Sequence, residues 1–236
     1  MFTSFTPLTQ VSTGSPSRWI GPKDYLHVQW KSQDLESGIS KTEYCVGTVP
    51  VGCQIKSMTE ILPNATEVTC IDCRLNHRGT YYISVRVTNG AGLFAVTATN
   101  KTEVDLTAPI LGDIVAHVSF TSCVTNCALI ANITGVKDEE SGVKSCSYAI
   151  RNSSAFLMDF TDNGLNTTVE AAGLHLLTGT NYYIVVRCEN NVGISTEKMS
   201  SPVIVDDTPP SKVRMHGYHY IKTFYCVFVF LCLFFV

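Results

Sequence analysis

From Tyr81 to Thr88 the chain alternates strictly: Tyr81, Ile83, Val85 and Val87 are apolar, while Tyr82, Ser84, Arg86 and Thr88 offer the other face. A period of two predicts a strand with one side buried. Asn89-Gly90 and Gly92 follow, residue types that tolerate positive φ and turn the chain. The same strand and turn return at Tyr182, Ile184, Val186 and Cys188, ending in Asn190-Asn191-Val192-Gly193. Upstream, Leu26, Val28 and Trp30 alternate with His27, Gln29 and Lys31, which predicts a strand over Tyr25–Lys31 with Trp30 pointing inward. Further strands are expected at Lys41–Val46, interrupted by Pro50–Gly52, at Thr66–Cys70, over Leu93–Val104, and from Ile110 to Phe120. No 10 to 15 residue helical period alternates with them, which argues against a parallel α/β fold.

The recurrence extends beyond one strand. Asp34-Leu35-Glu36-Ser37-Gly38-Ile39 before Tyr44 reappears as Asp138-Glu139-Glu140-Ser141-Gly142-Val143 before Tyr148, 104 positions on. Val104-Asp105-Leu106-Thr107-Ala108-Pro109 reappears as Val205-Asp206-Asp207-Thr208-Pro209-Pro210, 101 positions on. Two tandem domains of about 100 residues follow, a size that closes its own core. We place a linker or remnant of a preceding repeat at residues 1–21, a first domain at 22–107 and a second at 108–210. A linker at 211–222 and an apolar tail at 223–236 complete the chain. Pro109 restricts both its own φ and Ala108, stiffening the junction.

These landmarks resemble the fibronectin type III family. An early Trp, a polar turn, a strand with Tyr, then Leu, Tyr and Asn-x-x-Gly before a Pro-containing linker are met by Trp30, Tyr44, Leu75, Tyr81 and Asn89. The second copy supplies Tyr148, Leu176, Tyr182 and Asn190, with Ile133 at the Trp position. The resemblance implies an all-β chain of two tandem antiparallel β-sandwiches, with these residues in the cores. It also implies a tyrosine corner at Tyr81 and Tyr182, whose phenols bond nearby backbone.

Composition narrows the setting. The formal net charge of -3 offers no basic stripe, and nucleic acid is rejected as a partner. Ten cysteines, with N-x-S/T sequons at Asn64, Asn100, Asn132, Asn152 and Asn166, point to an oxidising, secretory-route environment. Asn132 lies on the polar side of Leu129, Ala131 and Ile133, where a glycan stays clear of the core. Met1–Ser17 has neither a basic n-region nor an apolar h-region, so a fragment of a longer chain is favoured over a complete secreted protein. Phe224–Val236 is uninterrupted apolar sequence. Thirteen helical residues reach about 20 Å, short of a bilayer core of roughly 30 Å. A truncated single-pass anchor, an artefactual terminus and a lipid-anchor signal remain open readings.

By separation we expect disulfides Cys45–Cys53, Cys70–Cys73 and Cys123–Cys127. Cys146–Cys188 is expected because Cys146 shares the face of Tyr148, and Cys188 that of Tyr182, on neighbouring strands of the implied sheet. Such bridges depart from the usual fibronectin type III pattern. Cys70-Ile71-Asp72-Cys73 has dithiol spacing, yet its flanks read as strand and turn and lack the helix N-terminus that activates a thiolate. His77 would add a third zinc ligand, but no second ligand pair stands at finger spacing. Asp34, Glu36, Asp138 and Glu140 are weak calcium candidates, joined at a module junction by Asp105 or by Asp206 and Asp207. The six histidines are scattered, and neither a nucleophile elbow nor a phosphate loop occurs.

The expected function is therefore non-catalytic: adhesion, recognition or spacing on the extracellular side of a cell surface or in secreted form. An extracellular protein or glycan is the expected ligand, no cofactor is expected, and membrane attachment would run through the tail. A secreted thiol- or metal-dependent enzyme accessory centred on Cys70 and Cys73 is one alternative, and a purely structural spacer is the other.

Overall fold

The computed structural model describes residues 19–119 and 127–206, and every named element among them is a strand. The first sandwich contains β1 (Trp19–Ile20), β2 (Leu26–Gln29), β3 (Ile39–Gly47), β4 (Lys56–Ile61), β5 (Glu67–Cys70), β6 (Thr80–Asn89), β7 (Phe94–Ala98) and β8 (Thr102–Val104). The second contains β9 (Ile114–Ser119), β10 (Cys127–Ile133), β11 (Val143–Asn152), β12 (Phe156–Gly164), β13 (Thr168–Leu174), β14 (Asn181–Asn190), β15 (Ser195–Met199) and β16 (Val203–Ile204).

In each unit a smaller sheet faces a larger one. The pair β2–β5 faces β4-β3-β6, with β7 and β8 both paired to β6 and β1 added beside β8. In the second unit β13-β10-β9 faces β12-β11-β14-β15, with β16 also on β14. The fourth main strand of each copy joins the larger sheet, and the layout is fibronectin type III-like throughout. Among the described residues the fold is all-β, two tandem β-sandwiches whose strands pair antiparallel apart from β1 on β8.

Each core gathers the inward half of the alternating strands. Leu26, Val28, Trp30, Tyr44, Val46, Tyr81, Ile83, Val85 and Val87 form one cluster, against which Leu75 packs. Leu129, Ala131, Ile133, Tyr148, Ile150, Tyr182, Ile184, Val186 and the Cys146 and Cys188 side chains form the other, with Leu176 at its edge. Both tyrosine corners are closed: the Asn76 amide donates to the Tyr81 hydroxyl and the Leu177 amide to that of Tyr182, each at 2.8 Å.

Among the described residues there are three disulfides. Cys146–Cys188 joins residues directly opposite on β11 and β14. Cys45–Cys53 ties the loop after β3 back to that strand, and Cys70–Cys73 closes the end of β5. The expected Cys123–Cys127 pair lies outside the described residues, because Cys123 does; so do the tail at 223–236 and the linker at 211–222.

Two sequence expectations are corrected. Leu93–Val104 is two strands, β7 and β8, separated by Thr99–Lys101; β7 pairs β6 at Ser84–Thr88, whereas β8 pairs it at Thr80 and Tyr81. Strand pairing also begins inside the stretch read as a linker: Trp19 and Ile20 run parallel to Glu103 and Val104. Ile20 is buried in the first core, and that burial draws the segment onto the sandwich.

Candidate functional site

A densely bonded polar cluster lies where the two sandwiches meet. As β8 ends, Asp105 leaves the first sheet with its amide donating to Ile20 O at 2.9 Å, and its side chain is fully buried. Both carboxylate oxygens are engaged. Oδ1 accepts from the Thr107 amide (3.0 Å) and hydroxyl (3.1 Å). Oδ2 accepts from the Ser141 hydroxyl (2.6 Å) and from Asn190 Nδ2 (2.9 Å), both in the second sandwich.

Asn190, at the end of β14, is itself fully buried. Its Nδ2 also reaches Thr107 O at 2.9 Å and Asp138 Oδ2 at 3.2 Å, while its Oδ1 accepts from the Val192 and Ile194 amides. Asp138 in turn accepts from the Gly142 amide at 2.8 Å. A buried charge is tolerated only when paired or well hydrogen-bonded, and here the donors come from both sides of the seam.

Packing and charge reinforce it. Gly21 is buried against Val192 of the opposite unit: a Cβ there would lie 2.9 Å from the Val192 carbonyl oxygen. Arg78 pairs with Glu140, whose side chain is only 9% exposed, and approaches Glu139 at 3.8 Å. Arg78 has φ of 61°, a conformation that costs a non-glycine residue energy. At the matching position, 101 residues on, the second copy carries Gly179 at φ 77°. The first copy thus holds an arginine in a glycine conformation where its guanidinium meets the next domain. His77 accepts a hydrogen bond from the Leu106 amide at Nδ1 (3.1 Å), with Nε2 3.8 Å from Glu140.

Of the calcium candidates, Asp138 and Glu140 come together with Asp105, ligand atoms lying within 4.8 Å of one another. The four bonds that Asp105 accepts occupy the lone pairs a cation would need. Asp34 belongs to the other copy of the turn, where it binds Ser37 and Asn89; Glu36 is exposed beside it. The zinc grouping is not formed, since His77 is committed to the seam and the sulfurs of Cys70 and Cys73 are bonded to each other. Asp72, between those cysteines, pairs with Lys56 at 2.6 Å, and that ammonium holds its carboxyl below the ordinary carboxylate range.

The sequon asparagines 64, 100, 132 and 166 are exposed. Asn152 is half-buried, its Oδ1 accepting from the Ser154 and Ala155 amides at 2.8 Å. The outer faces of the larger sheets carry arginine over aromatic rings: Arg86 over Phe94, Arg151 over Phe156 and Arg187 over Phe160. Phe94 is 66% and Phe156 49% exposed. Sequence reasoning noted the acidic turns but missed Gly21, Arg78, Ser141, Asn190 and Val192 as seam residues. The signal available was the repetition itself, since Asp105 and Asn190 each have a counterpart in the other copy.

No family model matches the chain, and no curated protein matches it. Among solved structures it is similar to the FN1-FN3 domains of chicken CNTN1, with 12% identity over 77% of this chain and 64% of that one, TM-score 0.40. It is also similar to fibronectin(III)-like modules of Clostridium thermocellum CbhA, with 11% identity, 91% and 100% coverage and TM-score 0.39. Titin domains give 12% identity, 85% and 66% coverage and TM-score 0.48. The chain spans less than two thirds of the CNTN1 and titin chains.

Proposed function

We propose that this chain is a non-catalytic extracellular or cell-surface module in which two sandwiches act as one stiff spacer, presenting the outer faces of their larger sheets to a protein or glycan partner. The buried Asp105 at the seam carries this reading. A carboxylate with donors from both units holds their relative orientation, and rotating one unit against the other would strand those donors in the interior. Intradomain disulfides support an oxidising compartment, and exposed sequons give glycans a place that leaves the cores intact.

The recognition part rests on the arginine and aromatic pairs, residue types enriched where partners bind tightly. Arg86 and Arg187 stand 101 positions apart at the same place in the two copies, and each also pairs with a glutamate, Glu43 or Glu197, at 2.6 Å. Such a pre-formed surface recognises a partner without chemistry.

The test is expression in secretory cells followed by glycosidase treatment and non-reducing peptide mapping. The reading predicts a mass loss from the sequon peptides and recovery of Cys70 linked to Cys73. An unmodified product with both thiols free would overturn it and favour the thiol-dependent alternative.

A further inference from the structure

The grip on Asp105 is built twice, and the second sandwich shows what it holds. There Asp138, Ser141 and Asn190 form a socket closed by the Asp105 carboxylate, with Asn190 fully buried and Ser141 9% exposed. At the corresponding end of the first sandwich stand Asp34, Ser37 and Asn89.

The local bonding matches at the asparagine and differs at the serine: Asp138 takes its backbone donor from Gly142 while the Ser141 hydroxyl turns to Asp105, whereas Ser37 gives both amide and hydroxyl to its own Asp34. Asp34 Oδ1 accepts from the Ser37 amide (2.7 Å) and hydroxyl (3.1 Å), and Asn89 Nδ2 donates to Asp34 Oδ2 at 2.9 Å. Asn89 Oδ1 accepts from the Ala91 and Leu93 amides, as Asn190 Oδ1 does from Val192 and Ile194. Gly90 N donates to Gly38 O at 3.0 Å where Asn191 N donates to Gly142 O at 3.1 Å. The occupant differs too, and the Ser37 hydroxyl would turn from Asp34 to meet one. Among the described residues Asn89 Nδ2 has Asp34 as its one acceptor, Ser37 is exposed, and Ala91 is exposed where Val192 is seated on Gly21.

The chain also repeats the segment that fills such a socket. Val205-Asp206-Asp207-Thr208 matches Val104-Asp105-Leu106-Thr107. Val104 and Val205 are both buried, and their carbonyls accept from the Arg78 and Gly179 amides at 2.8 Å. Asp206 therefore leaves its sheet at the point from which Asp105 leaves the other.

We propose that Asp34, Ser37 and Asn89 form a docking socket for the Asp206 segment of a second copy of this chain, packed head to tail as the two sandwiches are packed within one chain. Such a contact is heterologous and propagates rather than closes. It is weaker than the internal seam, because Gly179 stands where Arg78 pairs with Glu140, and because linkage no longer supplies a high effective concentration. The inference rests on the fold and the seam, and not on the extracellular reading.

The test uses the 15N-labelled full chain and the peptide Val-Asp-Asp-Thr-Pro-Pro. The expected result is a saturable shift of the Asn89 side-chain amide at millimolar peptide while Asn190 stays still. Replacing the first Asp of the peptide by Asn weakens binding about tenfold, the loss expected for a charge-assisted acceptor. Ser37→Ala in the chain weakens it without disturbing the Asn89 turn. With the chain alone, rising concentration moves the same Asn89 signal, and Asp206→Asn shifts that movement to about tenfold higher concentration. No shift, an equal shift with the Asn peptide, or a concentration-independent Asn89 signal overturns the proposal.

Discussion

Replacing Asp105 by alanine removes one side chain and unpairs donors in both sandwiches. The Thr107 amide and hydroxyl belong to an exposed residue of the first unit, where water replaces the lost acceptor at little cost. The Ser141 hydroxyl is left buried without Asp105, its contact to Asp138 being a long 3.5 Å. Asn190 keeps Thr107 O and Asp138 and loses less. A buried donor left unpaired costs about 1–3 kcal/mol, and easing the crowding of Asp138 and Glu140 returns part of that. We expect a net loss of about 1–2 kcal/mol, a sizeable share of the 5–15 kcal/mol typical of a folded domain. Because the lost bonds span the seam, the loss falls on the coupling between the units. Both tryptophans belong to the first sandwich, so urea unfolding followed by their fluorescence reports that unit, while hydrogen exchange of β14 amides reports the other. We expect the wild-type transitions to coincide and those of Asp105→Ala to separate, with β14 exchanging earlier. A loss below about 0.5 kcal/mol, with coincident transitions kept, would refute the reasoning.

Gly21→Ala places a methyl against the backbone carbonyl of Val192, which cannot swing aside, and should cost about 1–3 kcal/mol in urea denaturation; a neutral substitution would show that the two units do not pack there. Tyr182→Phe leaves the Leu177 amide without its acceptor and should cost about 1–3 kcal/mol, as should Tyr81→Phe in the first unit, both read from chemical denaturation midpoints. The Asp34 carboxyl is held below its ordinary 3.8, first by the Asn89 amide and then by the Ser37 backbone N–H. A depressed folded-state value means its stabilisation is present above 3.8 and is lost as pH falls through the folded value. An NMR titration of the Asp34 carboxyl carbon should place its midpoint below 3.8, and Asn89→Ala should raise it; a midpoint at or above 3.8 contradicts the Asn89 bond.

Much of the fold was legible because β6 and β14 lie in the middle of their sheets, where the inward set Tyr81, Ile83, Val85, Val87 and its repeat Tyr182, Ile184, Val186, Cys188 is buried at every second position. The disulfide Cys146–Cys188 could be read for the same reason, both residues falling in the inward set of a central strand. β4 and β12 were missed because they are edge strands: no residue in either is fully buried, so no apolar period marks them. β13 buries only Val169 and Ala171, too little contrast to stand out. Trp19–Ile20 is two residues long and is held by burial of Ile20 rather than by any local pattern.

The seam was half legible. The acidic turns and the repeated Asp before the Pro linker were visible, yet their carboxylates read as cation ligands because the donors lie far away in sequence. Ser141 and Asn190 are 36 and 85 residues from Asp105. Nothing local marks Arg78: only counting back from Tyr81 and Tyr182, 101 positions apart, places it opposite Gly179.

Residual dipolar couplings measured on the amides of β6 and β14 in one aligned sample ask whether the two sandwiches tumble as one body. With Asp105 gripped by Ser141 and Asn190, a single alignment tensor fits both sets. Two tensors of different magnitude or orientation would mean that the units reorient independently and that the seam does not hold them.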